Sequence, residues 1–210
     1  MANDDQASAI GGLRPSMQPY GTIKRSYYKL TTSASAAVYI GQPIDLDGSG
    51  QATVATVGTA NGLFLVGAVL GFARDSRGKH GLPNEMSLIT QGAYLPANTD
   101  AYVCVADDPN QEFIIQEGSA SIAALVAGVQ GNTVGFSYLK ATSGDTVTGT
   151  SLAEITPVGA LASTMGSLRI VALADNMNSD GSNNAVGIYA KWRVRIQNHR
   201  LASQLPTSVI

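Results

Sequence analysis

From Tyr27 onward the chain is a succession of short apolar runs cut by Gly, Asn, Asp and Pro: SAAVYIGQPI, QATVATV, LFLVGAVLGF, AYVCVA, EFIIQE, NTVGFSYL, SLRIVALAD and KWRVRIQN. Runs of about four to eight residues rich in Val, Ile, Thr and aromatic side chains, bounded by turn formers, are the signature of strands. Sustained stripes at helical spacing are nearly absent. The pattern therefore predicts a mainly β chain, a compact β-barrel or β-sandwich of short antiparallel strands. One segment, SIAALVAGV from Ser121 to Val129, stays open: its Ala and Leu favour a helix, which Gly128 and the short length limit to about two turns, and a strand is the equal alternative. At most one or two short helices are expected. Residues 1–25, with Gly11, Gly12, Pro15 and Pro19 and no periodicity, are expected as an extended N-terminal arm. Residues 26–210 then form one β-rich domain. Within it the Thr-, Ser- and Gly-rich stretch 144–163 is expected to be an exposed loop or small lobe carrying one or two short strands.

Two of the runs carry more detail. In GLFLVGAVLGF, Gly62 to Phe72, nearly every position is apolar, which suits a central strand buried on both faces, and Gly67 and Gly71 mark a bulge or a close backbone approach. In KWRVRIQN, Lys191, Arg193 and Arg195 alternate with Trp192, Val194 and Ile196, so one face is basic and the other enters a core. Nothing aromatic lies on the basic side, so a solvated face is expected in preference to a nucleic-acid stripe. Contact with acidic residues of a neighbouring subunit is the alternative. The polar stretches ADDPNQ, 106–111, and DNMNSDGSNN, 175–184, are expected as turns.

The stretch IDLDGSGQATVAT, Ile44 to Thr56, concentrates Asp45, Asp47, Ser49 and two glycines. An EF-hand calcium loop needs oxygen ligands at its first, third and fifth positions, glycine at the sixth and a bidentate carboxylate at the twelfth. Asp45, Asp47, Ser49 and Gly50 satisfy the first part, but the twelfth position is Thr56, which cannot supply two carboxylate oxygens. A hairpin turn between GQPIDL and QATVATV is therefore expected instead of a metal site.

Composition narrows the function classes. A chain of 210 residues can bury one good core or two small ones. With 44% apolar and only 13% charged residues it is not a disordered sequence, and the scarcity of charge points to surface meant for other protein. A net charge of -2 removes the global electrostatic case for a nucleic-acid binder. The single cysteine, Cys104, sits in AYVCVA and is expected as a small buried apolar side chain; no Cys/His cluster suits zinc. The start MANDDQASAIGG has no basic stretch leading into an apolar core, and the longest apolar run is well short of the roughly 20 residues of a membrane span. A soluble protein made and kept in the cytoplasm, unless carried off in a larger assembly, is expected.

Catalytic patterns are missing from the chain. His80 and His199 both lie among polar residues and are expected at the surface or an interface; neither accompanies a GxSxG elbow. There is no GxGxxG, and the GKH of Gly78 to His80 lacks the glycine spacing of a phosphate loop. A glycosidase pair among the 15 acids stays formally open, because sequence spacing does not decide which carboxylates converge. No catalytic residue, metal ligand or cofactor is assigned, and a structural or binding protein is the economical expectation.

The order of segments supplies a resemblance. GQPIDLDGSGQATVATV, then LFLVGAVLGF, DSRGKHG, AYVCVADDPNQEFIIQ, GDTVTGTSLAEI, SLRIVALADN and a closing VRIQNHRL together resemble the small virion structural proteins of tailed bacteriophages, of the head decoration or cement type. The similarity covers about residues 35–201, and its most specific pieces are YVCVADDPNQEFIIQ and the pairing of LRIVALAD with WRVRIQNHRL. What the resemblance implies is a non-enzymatic protein, made in the host cytoplasm and placed on the outer surface of the virion head. There it would bridge neighbouring copies of the major capsid protein, as a homo-oligomer and in many cases a homotrimer, with no nucleic acid or membrane as partner. Capsid or subunit contacts are expected from Arg14, Tyr20, Lys24, Arg25, Tyr27 and Tyr28, the tyrosines serving as aromatic anchors; ordinary packing at the first strand is the equal alternative for them. Two other functions stay in view. A tail, vertex or fibre-base component needs the same β domains. A carbohydrate-binding host-attachment protein needs an exposed aromatic platform, and here aromatics are 6% with Trp192 the sole tryptophan.

Overall fold

The computed structural model describes residues 11–16, 22–30, 36–56, 64–73, 94–118, 125–138, 143–156, 166–175 and 181–202. Among these residues there is no helix and there are eleven strands: β1 (Arg14–Pro15), β2 (Arg25–Lys29), β3 (Pro43–Leu46), β4 (Ala52–Val54), β5 (Gly67–Ala73), β6 (Tyr102–Ala106), β7 (Glu112–Gln116), β8 (Thr133–Tyr138), β9 (Ala153–Thr156), β10 (Leu168–Leu173) and β11 (Lys191–Ile196). They form two antiparallel sheets, ordered β2-β6-β5-β3-β4 and β1-β7-β11-β10-β8-β9. The mainly β expectation holds. Of the segment Ser121–Val129, residues 121–124 lie outside the described residues, and 125–132 runs as turns in which Gly128 and Gly131 take positive φ, a conformation helices do not use.

After β1, which joins the six-stranded sheet, the chain builds the five-stranded sheet from β2 to β6 and the rest of the six-stranded sheet from β7 onward, switching at the ADDPNQ turn between β6 and β7. Asp108 closes that turn by accepting from the Asn110 amide through its side chain, at 2.8 Å, and from the Gln111 amide through its carbonyl, at 2.9 Å. Each sheet curves enough for a single isolated bridge to form between strands that are not neighbours in its order. Leu30, just past β2, bridges Ala52 of β4, and Glu117, just past β7, bridges Ile155 of β9. Inside the first sheet pack Leu30, Val38, Ile44, Val69, Phe72 and Val103; inside the second, Phe113, Phe136, Ile155, Leu168, Trp192 and Val194.

β5 is the central strand that its apolar run predicts, hydrogen-bonded to β3 and β6 and buried on both faces. Val66, Val69 and Phe72 enter the first core, while Leu65 and Ala68 enter the second, so this one segment joins the two. The register against β6 shifts between Val69 and Gly71, the bulge that the glycines signalled. The end of the chain also ties the sheets together: the Leu65 amide donates to Asn198 and the Arg200 amide to Leu65, at 3.0 and 2.8 Å.

Residues 11–16, expected in an arm, are extended but packed against the body. Leu13 is fully buried, its amide donates to the Gly41 carbonyl at 2.9 Å, and β1 pairs with β7. The physical reason is the apolar Leu13, which leaves water for the second core. The stretch 144–163 divides: Asp145 to Thr148 form a turn, Ser151 to Ala153 and Ile155 are buried on β9 or just before it, and 157–163 lie outside the described residues.

IDLDGSGQ is a turn. β3 and β4 pair as a hairpin, and the Asp47 carboxylate accepts from the amides of Ser49 and Gln51 at 2.8 and 2.9 Å, with Gly50 at φ 75°. The other candidate ligand, Asp45, is held by Arg200 through two hydrogen bonds of 2.9 and 2.6 Å. Asp47→Ala is expected to lower stability by about 1 kcal/mol in urea unfolding, the loss of an Asx-type turn bond. The melting temperature is expected to stay the same with and without a calcium chelator; a chelator-dependent fall would restore the metal loop.

Candidate interaction surface

The strand pattern that buries Trp192, Val194 and Ile196 turns the alternate residues outward, and the register then decides which outward residues become neighbours. Arg14 of β1 lies opposite Ile114 of β7, which lies opposite Arg193 of β11. One step along, Glu112 lies opposite Arg195, which lies opposite Arg169 of β10. Lys191 follows on the same side of β11. The outer face of the six-stranded sheet therefore gathers Arg14, Arg169, Lys191, Arg193 and Arg195. Glu112 sits among them, its Oε1 accepting from Arg195 Nη2 at 2.8 Å and its Oε2 at 3.9 Å from Arg193 Nη1. Arg169 Nε donates to Gln197 Oε1 at 2.6 Å. Such exposed pairs add little to stability.

The residues expected as contacts do not form one patch. Arg14 is exposed on this cationic face, whereas Lys24 and Arg25 are exposed at the other sheet, at and just before the start of β2. Tyr20 lies outside the described residues. Tyr28 is partly buried against the first core, and its hydroxyl donates to Asp107 Oδ2 at 2.7 Å. Burial, first, and the neighbouring carboxylate raise its pKa, so the phenol stays protonated. Tyr27, also partly buried, reaches the thiol of Cys104, whose pKa is raised chiefly by burial. Tyr28 thus packs internally in part, and both tyrosines keep some exposed surface. Sequence patterning showed the basic side of β11 but not Arg169 and Arg14 beside it, because pairing register is a tertiary property.

His199 corrects an expectation. It is 3% exposed, and its Nδ1 accepts from the Leu201 amide at 3.1 Å. Burial depresses its pKa, against opposing effects of the Val66 carbonyl and Asp107, so the ring is held neutral. The polar neighbours in QNHRL suggested the surface, but the bridge between Leu65 and His199 draws the side chain inward. His80 lies outside the described residues. A buried carboxylate was also hidden: Glu117, 1% exposed, accepts from Trp192 Nε1 at 3.0 Å and from the Leu125 amide at 2.7 Å. Burial raises its pKa and the two donors pull it back.

No protein-family model, curated protein or solved structure matches this chain. Its chemistry has to be judged from its own side chains. Among the described residues, no three His, Cys, Asp or Glu side chains converge to hold a metal ion. Tyr28 donates to one oxygen of the buried Asp107, and both oxygens of the buried Glu117 accept from within the fold. Among the described residues, the outer face of the six-stranded sheet is a broad cationic surface.

Glu154 of β9 lies at the margin of that outer face, opposite Ser137, with Gly118 against its carboxyl. Burial pushes its pKa up to about 7. A carboxyl with a raised folded pKa contributes stability that is complete below the unfolded value and is lost as pH rises through the folded one. Stability is therefore expected to fall between about pH 4.5 and 7.5 on this account, by about 1 kcal/mol after allowance for solvent screening at a half-exposed site. Glu154→Gln removes that slope, and its advantage over the parent is expected at pH 8 and not at pH 4. Parallel urea midpoints against pH for the two proteins would contradict it.

Proposed function

We propose that this chain is a non-enzymatic capsid decoration, or cement, protein, which binds the outside of a tailed-phage head as a homotrimer and stabilises the shell by bridging neighbouring major capsid subunits. The observation that supports it is the arrangement of exposed cations: among the described residues, Arg14, Arg169, Lys191, Arg193 and Arg195 are spread over one strand face. A broad face suits adhesion between repeated surfaces, where many weak contacts act together. A protein that binds only the expanded shell stabilises that state by mass action.

Imaging of intact particles together with copy counting tests the proposal. Many copies spread over the outer head are expected, with a trimeric mass for the purified protein. A few copies confined to the tail, vertex or fibre base would replace it with the other virion role. Turnover of a substrate, or binding on a glycan array, by the purified monomer would overturn it altogether.

A further inference from the structure

We infer that the outer face of β1, β7, β11 and β10 is the surface by which this protein grips its partner, and that the partner presents a carboxylate-rich protein surface. The inference rests on the adhesive role proposed above and adds to it the face and its chemistry.

The chain has 13 basic residues and a net charge of -2, yet five of the basic residues share this face. Their arrangement is unfavourable in isolation. Arg169 and Arg195 are Cα partners on adjacent strands, and like charges directly across a pair destabilise it. Solubility alone would be served by alternating signs. Glu112 offsets only part of the repulsion, since its two oxygens serve both Arg193 and Arg195, and each guanidinium carries five N–H donors. A surface that holds cations close together at a cost in stability is prepared for anions from outside.

Protein carboxylates fit better than phosphates. Ile114 stands among the arginines, opposite Arg193 and Arg14, and gives the patch an apolar centre. Interfaces between proteins pair such centres with arginine, whose planar fork grips carboxylates in two-point fashion. None of the described outward positions named here is aromatic, so bases find no ring on which to stack.

The test uses the purified full chain at low salt, with fluorescently labelled poly-L-glutamate and an oligodeoxythymidylate of equal charge as probes. Poly-L-glutamate is expected to bind more tightly, and the double reversal R169E/R195E to weaken it at least about tenfold. Reversal of Lys29, a cation of the other sheet, is expected to change the affinity by less than about twofold. If the double reversal fails to fold by circular dichroism, R169Q/R195Q serves with the same expected direction. No binding of poly-L-glutamate by the parent, tighter binding of the oligonucleotide, or an unchanged affinity in the folded variant would each overturn the inference. Occupancy of phage heads is measured separately. Absence from heads with intact poly-L-glutamate binding sinks the shell role alone, whereas occupancy that R169E/R195E leaves unchanged sinks this face alone.

Discussion

Trp192→Ala is expected to destabilise the protein by about 3–5 kcal/mol, a large part of what a single domain possesses. The indole is 1% exposed in the middle of the second core, on the inward side of β11, with β10 on one flank and β7 on the other. Its removal leaves a cavity and also strips Glu117 of the donor to Oε2. Trp192→Phe separates the two effects, because it keeps most of the ring and deletes the N–H. That variant is expected to cost about 1–3 kcal/mol, the penalty of leaving a buried acceptor unpaired. Its pH dependence carries a sign. The folded pKa of Glu117 is already raised by burial, so its contribution fades as pH rises through that value, and the Trp192 bond holds the pKa down. Trp192→Phe should therefore lose stability more steeply with rising pH than the parent does. Urea unfolding between pH 4 and 8 with an unchanged m value reads both effects. Equal slopes would mean that the indole contributes packing alone.

Gly67→Ala is expected to cost at least about 3 kcal/mol, at the upper end of overpacking effects. A Cβ at this position would fall inside the van der Waals shell of the Ala106 carbonyl oxygen and would also press on Val105 Cγ1 at 2.9 Å. Backbone cannot swing aside as a flexible side chain can, and β5 is fixed between β3 and β6, so one of these strands must shift. Gly48→Ala in the β3–β4 turn is the matched control, since its added Cβ meets nothing within 4 Å. A change within about 0.5 kcal/mol is expected there, as for most surface substitutions. Equal losses at the two positions would show that the effect comes from glycine's backbone freedom and not from the close approach.

The residues legible from sequence were those whose role depends on near neighbours in the chain. GLFLVGAVLGF announces a two-faced buried strand because every side chain in it prefers to leave water, and its glycines announce the bulge and the close approach seen at Gly71 and Gly67. Asp47 and Gly50 announce the hairpin turn, because an Asx bond spans only a few residues. Buried polar groups stayed hidden. Glu117 ends a strand run with nothing local to mark it, and the groups that make its burial tolerable, Trp192 Nε1 and the Leu125 amide, come from 75 and 8 residues away. The same holds for Tyr28, whose partner Asp107 is 79 residues distant.

By itself, then, the order of amino acids determined the β class, the hairpin at Asp47, the central place of the strand from Gly67 and the basic side of the strand from Lys191, since alternation and turn chemistry act over a few residues. Only the tertiary structure decided that Leu13 is pinned into the second core, that His199 is buried, and that Arg14, Arg169 and Arg195 share one surface. Those outcomes hang on strand order and register, where a slip of one residue would turn each side chain to the opposite face. Such a choice is made by the packing of all the strands together.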